Sequence, residues 1–292
     1  MATLRAIRRR IVSVRKTQQV TRAMKLVAAA KLRRAQERIT AARPYADKMA
    51  EVVASLARRT DPGRHSLLVA RPVRRLLVVP VTSDKGLCGA YNANVVRSAL
   101  DLIHRRREPL EPSAISVVAV GKKGRDLFAY RRIEIDREFI GHFGHVDYDL
   151  AKEIADYLIG AYQEGRADEV TLIYNKFRSA LQQRVTVEPF LPLRLPAPRE
   201  EPSGVEVDFL YEPSVDGVLS GLIPRHLYTQ VFRILLDADA SEHGARMVAM
   251  DSATNNASDM IAALTLHFNK TRQAAITKEI IEVVSGADAL KG

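Results

Sequence analysis

Two glycine-containing segments have residue types that bind phosphates in other proteins. Ser83-Asp-Lys-Gly-Leu-Cys-Gly-Ala-Tyr-Asn92 follows a strand-like run and opens a helical pattern, which is where α/β sheets bind phosphate groups. Gly121-Lys-Lys-Gly124 offers two glycines and two ammonium groups before a second helix start. Neither has the GxGxxG or GxxxxGK[ST] spacing of a nucleotide loop. We interpret Gly86 and Gly89 as turn glycines and predict no cofactor.

Other chemically capable side chains are few. His142 and His145, close to Asp147 and Asp149, have the types that ligate a divalent metal, but a polar loop explains them equally well and no third ligand is clustered with them. The lone Cys88 excludes an internal disulfide and reads as a small buried residue. The chain has no GxSxG and no paired carboxylates in a pocket-like region. We predict no catalytic and no metal-binding residues.

The elements around these segments indicate a small α/β domain. Short β-branched or apolar runs alternate with helical patterns near 92–106 and 149–163, which favours a Rossmann-like fold with a mainly parallel sheet. The runs are Leu76–Val81, Ile115–Val120 and Val170–Tyr174, and Val185–Phe190 and Val205–Tyr211 are candidate additional strands, at an edge.

The N-terminal segment has a different period. Sixteen positions alternate by three and four residues, and thirteen are apolar, a pattern typical of a coiled-coil seam about 80 Å long. They are Leu4, Ile7, Ile11, Val14, Gln18, Thr21, Lys25, Ala28, Leu32, Ala35, Ile39, Ala42, Ala46, Met49, Val53 and Leu56. The polar residues Gln18, Thr21 and Lys25 are of the kind that fixes register. Pro44 should bend or briefly break the helix near Arg43.

The C-terminal segment, from about Pro213 to Leu290, repeats this spacing. Its seam is Met247, Met250, Thr254, Ala257, Ile261, Leu264, Phe268, Thr271 and Ala275, with an adjoining stripe of Leu266, Ile276, Ile280 and Val283. Two exposed seams need a partner, so we predict an antiparallel coiled coil of the two ends. The resulting domains are an N-terminal helix at 1–60, a central α/β domain at 61–212 and a C-terminal helix at 213–292.

The positive charge is concentrated at one end. The chain carries +11 in all, whereas residues 1–60 hold 16 Lys and Arg against three acids, or +13, so the remainder carries −2. Such a segment suits an acidic protein surface, nucleic acid or an anionic membrane as partner. No apolar run has the roughly 18 to 20 residues of a membrane span, so we expect no direct membrane insertion.

Five segments, in this order, closely resemble the gamma subunits of F-type ATP synthases. They are Met24-Lys25-Leu-Val-Ala-Ala-Ala-Lys31, Ser83 to Asn92, Tyr211-Glu-Pro213, Ser241-Glu-His-Gly-Ala-Arg246 continuing to Asn256, and Asn269-Lys-Thr-Arg-Gln-Ala-Ala-Ile-Thr277 continuing to Gly286. The resemblance runs from Ala2 to Leu290 and is weakest from Glu108 to Gly204. The chain lacks the cysteine-bearing insert of the chloroplast members of that family.

The resemblance implies a non-catalytic rotor stalk. In that family the coiled coil fills a ring of three alpha and three beta subunits, and the base meets the membrane c-ring and the epsilon subunit. Ion-driven rotation then forces the catalytic sites of beta through ATP synthesis, and hydrolysis runs the reverse. The absence of a clear transit peptide favours a bacterial source, with the complex peripheral to the cytoplasmic face of the plasma membrane.

Site residues also follow from the resemblance. It places Met24 and Lys25 opposite the acidic lever loop of beta. It places contacts with the upper ring at Arg246, Arg272, Gln273 and Thr277, and a foot on the c-ring at Phe209, Tyr211 and Glu212. Phe209 departs from the tyrosine often found there, which removes only a hydroxyl.

Two other functions are open to the sequence. One is a basic coiled-coil protein that binds nucleic acid, which would lose affinity steeply with salt. However, the helix lacks interleaved aromatic residues. The other is a nucleotide-binding enzyme built on the central domain, which would bind ATP as an isolated chain.

Overall fold

The computed structural model describes residues 4–58, 63, 65–106, 110–111, 114–144, 146–180, 182–194 and 215–289. Five helices and five strands lie in these ranges. In chain order they are α1 (Leu4–Arg58), β1 (Leu76–Pro80), α2 (Tyr91–Arg106), β2 (Ile115–Val120), α3 (Lys122–Tyr130), β3 (Ile135–Phe139), α4 (Tyr148–Gln163), β4 (Glu169–Phe177), β5 (Gln183–Leu191) and α5 (Val215–Ala289). The predicted domain boundaries near 60 and 212, and the candidate strand at 205–211, fall outside the described residues.

The strands form one sheet in the order β3-β2-β1-β4-β5. The first four are parallel, and β5 pairs with β4 antiparallel at the edge. This confirms the predicted Rossmann-like sheet and the edge position of 185–190. The β3 strand was not predicted, because Ile-Asp-Arg-Glu-Phe has only two apolar residues and its three central positions are exposed.

Both faces of the sheet are covered, as in other parallel sheets. Alternate residues of β1 point in opposite directions, so Leu76 and Val78 belong to the core with α2 and α3. Leu77 and Val79 belong to the larger core on the other face, which includes α4 and parts of α1 and α5. Parts of the two long helices α1 and α5 are therefore built into the core of the α/β domain.

The chain divides into two compact units. We call residues 1–28 with 247–292 the coil unit, and residues 29–246 the central unit. All sixteen predicted seam positions of α1 are buried or half-buried, eight in each unit. The helix continues through Pro44 to Arg58, so the predicted break does not occur. Among the described residues, no helix has a stretch apolar enough to cross a lipid bilayer.

Candidate functional site

Three polar layers pair α1 with α5 inside the coil unit. They are Gln18 donating to Ser258 at 2.6 Å, Thr21 sharing a hydroxyl hydrogen bond with Thr254 at 2.8 Å, and Lys25 bonded to Asp251 at 2.5 Å. The partner number falls as the α1 number rises, which establishes the predicted antiparallel arrangement. Each polar seam residue of α1 meets a polar residue of α5. A shift along the seam would place these groups against apolar side chains, so the layers fix the register.

Met24 and Lys25 lie at the last of these layers. Both are half-buried, and the Lys25 ammonium is paired with Asp251 within the chain. Leu26 and Val27 follow directly and are 65% and 58% exposed. The exposed surface here therefore combines large apolar groups with an ammonium that already has an acidic partner.

The surface of α1 in the coil unit is strongly basic. Seven arginines and lysines between residues 4 and 28 are exposed, and this segment contains no acid. The exposed cations are Arg5, Arg8, Arg9, Arg10, Arg15, Lys16 and Arg22. Such a surface attracts an acidic partner over several ångströms without requiring one fixed set of contacts, which is compatible with sliding.

The last part of α5 has no cover. Thr271 is the last half-buried seam residue, and every residue from 272 to 286 is exposed. We call residues 272–286 the tip. Its five large apolar side chains, Ile276, Ile280, Ile281, Val283 and Val284, are 48–67% exposed and, at about 100° per residue, lie within about half of the helix circumference. An exposed apolar face of this kind is suited to contact with a partner protein.

Three predicted contact residues lie on the tip. Arg272 and Gln273 are exposed at its base. Thr277 donates its hydroxyl to the Gln273 carbonyl at 3.0 Å, so this donor is used inside the helix. The predicted Ala275 position of the seam is exposed, because the seam ends one turn earlier at Thr271.

Arg246 has a different setting in the central unit. Its side chain is only 12% exposed, and its guanidinium forms an ion pair with Glu242 and donates to the Gly86 carbonyl at 3.1 Å. His243 Nδ1 lies 2.7 Å from the second oxygen of Glu242. Although burial opposes it, the contact with His243 and the Arg246 guanidinium together lower the pKa of the Glu242 carboxyl. Arg246 thus joins α5 to the loop after β1.

A buried stretch of α5 occupies the carboxyl edge of the sheet. Tyr91 donates its hydroxyl to the Ala238 carbonyl at 3.1 Å, and Ser241 donates to the Asn175 carbonyl at 2.9 Å. Burial and nearby carboxylates raise the pKa of Tyr91. Nucleotides bind at this edge in related folds. Here protein groups fill it.

The glycines at this edge serve close packing. A Cβ on Gly121, whose φ is +93°, would lie 2.0 Å from the Thr82 carbonyl oxygen, and one on Gly124 would lie 2.6 Å from Thr82 Oγ1. The first three backbone N–H groups of α3, which a phosphate would need, already donate to Asp84, Ser83 and Thr82. Phosphate binding by this loop would require those bonds to break.

The remaining candidates have structural settings. Asp147 caps α4 by accepting from the Leu150 N–H at 2.8 Å, and His145 lies outside the described residues. Within the described ranges, no group of three His, Cys, Asp or Glu side chains is placed to hold a metal. Cys88 is buried, which raises the pKa of its thiol. Phe209, Tyr211 and Glu212 lie outside the described residues.

Sequence reasoning missed several of the groups that complete these sites. Asp251 and Ser258 are polar seam partners, and Glu242 and His243 surround Arg246. Asp251 and Ser258 are found once the three-four spacing of α5 is aligned antiparallel with Gln18 and Lys25. Nothing in the sequence marks Glu242 as buried.

Comparison with protein families gives a full-length match. The family model described as "ATP synthase" matches residues 3–290. A similar protein, the ATP synthase gamma chain of Moorella thermoacetica, is 50% identical over 100% of both chains. The ATP synthase gamma chain of Chlorobaculum parvum is 46% identical over 100% of both chains. These matches support the first function predicted from the sequence and give no support to nucleic-acid binding.

Solved structures share the fold. A chain from the central stalk and c-ring structure of Tetrahymena thermophila mitochondrial ATP synthase has a TM-score of 0.60 and 26% identity, over 80% of this chain and 99% of that one. A chain of the Euglena gracilis mitochondrial enzyme, from an OSCP/F1/c-ring structure, has a TM-score of 0.68 over 98% and 94% of the two chains. At 20% identity the second likeness concerns the fold alone.

Proposed function

Because this chain belongs to the gamma-chain family of ATP synthases, we propose that it is the central rotor stalk of a rotary ATP synthase. As a gamma chain it is a non-catalytic subunit of a membrane-associated complex. It transmits rotation between a membrane c-ring and a ring of three alpha and three beta subunits, where ATP is made or hydrolysed. We place it on the cytoplasmic face of a bacterial plasma membrane, with the epsilon subunit bound near its base.

The observation that carries this proposal is the uncovered tip of α5. The seam ends at Thr271, yet the helix continues to Ala289, about 27 Å further at 1.5 Å per residue. Exposing these apolar residues to water is unfavourable, whereas an apolar sleeve formed by the upper alpha and beta subunits would bury them. Arg272 and Gln273 would lie at the lower edge of that sleeve.

The basic surface of α1 supports a second proposed contact, with the beta subunits. We propose that the exposed Leu26 and Val27, with Met24 and Lys25, meet an acidic lever loop of beta. Because Lys25 is already paired with Asp251, an approaching carboxylate would share it rather than find a free ammonium. The contact is therefore attractive but weak, so the stalk can leave each rotational position without crossing a large energy barrier.

The contacts of Arg246 that the structure describes are all within its own chain. Its bonds to Glu242 and Gly86 hold α5 in the central unit, and a contact of Arg246 with the ring would add to this role. The proposed foot on the c-ring consists of Phe209, Tyr211 and Glu212.

A rotation assay tests the proposal directly. Cys88 is buried and its thiol has a raised pKa, so a cysteine introduced at the exposed Asp101 of α2 is the favoured site of maleimide labelling. The labelled chain is assembled with the alpha and beta subunits of its source and supplied with ATP. We expect unidirectional rotation of a bead on the label. A complex that hydrolyses ATP at full rate while the label stays still would refute the rotor function.

The lever contact has a separate test. Met24→Lys adds a fixed cation where a flexible apolar side chain meets the acidic loop, so we expect proton pumping per ATP hydrolysed to fall in membrane vesicles. Arg22→Lys, a nearby change that keeps an exposed cation, is the matched control. Normal pumping in the Met24→Lys complex would show that this contact is misplaced while leaving the rotor assignment intact.

A further inference from the structure

The central unit contains a cavity that the stalk function does not use. Its volume is about 730 Å³, and it lies between α1, the start of α4, the end of β4 and α5. Pockets that hold small organic ligands have volumes of about 300–1,000 Å³. The cavity is therefore large enough for a molecule of two or three fused or linked rings, or for a folded alkyl chain.

Aromatic side chains form much of its wall. Tyr148 and Phe232 make an edge-to-face contact with ring centroids 5.7 Å apart, and Phe177 and Tyr228 line the same space. Tyr228 donates its hydroxyl to Asp156 at 2.5 Å, and the Lys152 ammonium lies 5.9 Å from the centroid of its ring. These rings remain partly accessible in the folded chain, so an apolar body could enter without unfolding the core.

The charges around the cavity leave one uncompensated cation. Five basic residues and two acids line it. Two of the basic residues already have an acidic partner that lies outside the lining. Arg233 pairs with Glu188 at 2.7 Å, and Lys152 pairs with Asp156 at 3.5 Å. This leaves the cations Arg43, Lys176 and Arg225, which make no side-chain ion pair or hydrogen bond to another described residue, against Asp47 and Asp237.

Two of these cations lie close enough to a buried carboxylate to act on it. Asp237 is buried, which raises its pKa, and Arg233, Lys176 and Arg43 hold that pKa down. Lys176 and Arg43 are themselves exposed, so an anion can reach them from solvent. One negative charge on a ligand balances the excess cation of the lining. A second negative charge would be repelled by Asp237 and Asp47.

We propose that this cavity binds an amphipathic monoanion, with its apolar body among Tyr148, Phe177 and Phe232 and its carboxylate or sulfonate held by Lys176 and Arg43. A ligand seated there touches α1, α4, β4 and α5 together and stabilises the central unit by mass action. This inference is independent of the rotor function.

Two matched probes separate the apolar and charged parts of the site. Anilinonaphthalene sulfonate and N-phenyl-1-naphthylamine share a ring system, but only the first carries a sulfonate. The full chain is titrated with each and binding is followed by probe fluorescence. We expect saturable binding of both, with the sulfonate about tenfold tighter, because it faces two cations that have no ion-pair partner among the described residues.

Variants locate the site. Lys176→Glu should weaken the sulfonate about tenfold and leave the neutral probe within about twofold. Ala46→Phe, which fills the cavity from α1, should remove both, whereas the same change at the exposed Ala41 should remove neither. Circular dichroism checks that each variant is folded.

Three results would overturn the proposal. One is equal affinity for the two probes with no effect of Lys176→Glu, since the site would then not select an anion. Another is binding that survives Ala46→Phe in a folded chain. The third is a signal lost on Ile280→Ser, because the probe would then sit on the exposed tip.

Discussion

Two stretches of α5 have opposite surroundings. Twelve consecutive residues, 234–245, are all buried, although four of them, Asp237, Asp239, Glu242 and His243, are ionisable. Fifteen consecutive residues of the tip are all exposed, although five are large and apolar. Burial here does not follow hydrophobicity. The first stretch is anchored inside its own chain by paired charges, and the second keeps its apolar surface for a partner.

The largest expected effect comes from breaking a buried pair. Glu242→Gln leaves the Arg246 guanidinium buried without its counter-charge, and such losses destabilise by about 3 kcal/mol. The nine tyrosines all belong to residues 29–246 and the chain has no tryptophan, so tyrosine fluorescence during urea unfolding reports on the central unit alone. Glu279→Gln on the tip, the matched control, should leave this transition unchanged. Equal destabilisation by Glu242→Gln and Glu279→Gln would contradict the contrast between the buried stretch and the tip.

The same pair should make the stability pH-dependent. The pKa of the Glu242 carboxyl is lowered in the folded chain, so its stabilisation is present above the ordinary pKa and is lost as pH falls through the lowered value. We therefore expect the stability difference between the parent and Glu242→Gln to shrink below about pH 4.

Asp239 contributes with the opposite sign. Burial raises its pKa and the Glu242 charge adds to this, so its penalty is relieved as pH falls and is smaller in the variant. Urea titrations at a series of pH values, again read by tyrosine fluorescence, give the difference. A gap that widened on acidification would show that Glu242 is protonated in the native chain.

A smaller effect should come from crowding. Ala240 is fully buried, and Ala240→Leu adds three carbons where the helix is covered on all sides, which costs about 2 kcal/mol. Ala275→Leu makes the same change on the tip. There we expect no shift in the tyrosine transition, and a shift as large as that of Ala240→Leu would mean that the tip is packed within the chain.

The smallest effect on stability is expected from removing the tip. A chain ending at Thr271 keeps the whole seam, so its unfolding transition should match that of the full chain. In the assembled complex the same truncation removes the proposed bearing surface, and the torque measured by bead rotation should fall. A chain ending at Ser285 is the control and should lose little. Full torque from a complex whose stalk lacks the tip would contradict the proposal that an apolar sleeve holds the tip.

The sequence predicted the architecture well because the pattern repeats many times. The seam of α1 contains sixteen positions, and a single misplaced residue such as Lys25 does not hide the period. The parallel strands are continuous apolar runs that stand out between helices. Of the bend or break predicted near Pro44, the break was wrong, since a long helix packed along its seam continues through one lost hydrogen bond, and the bend stays a prediction.

The surroundings of individual side chains were less accessible to sequence. Gly121 and Gly124 resemble phosphate-loop glycines, and only the position of Thr82 shows that they permit close packing. Arg246 belongs to a motif, yet its partner Glu242 depends on how α5 crosses the sheet edge. The contact roles of Met24, Lys25, Arg272, Gln273 and Thr277, and of the foot, depend on other subunits and stay predictions.

The long separation between seam partners bears on how the protein is made. Gln18 and Ser258 are 240 residues apart, and ribosomes add about 5–20 residues per second. The N-terminal helix therefore waits for roughly 10 to 50 seconds in the cell before its partner has been synthesised. During that time its seven exposed cations repel other nascent copies of the same helix. The charge that suits an acidic partner in the finished protein also protects the unfinished one from aggregation.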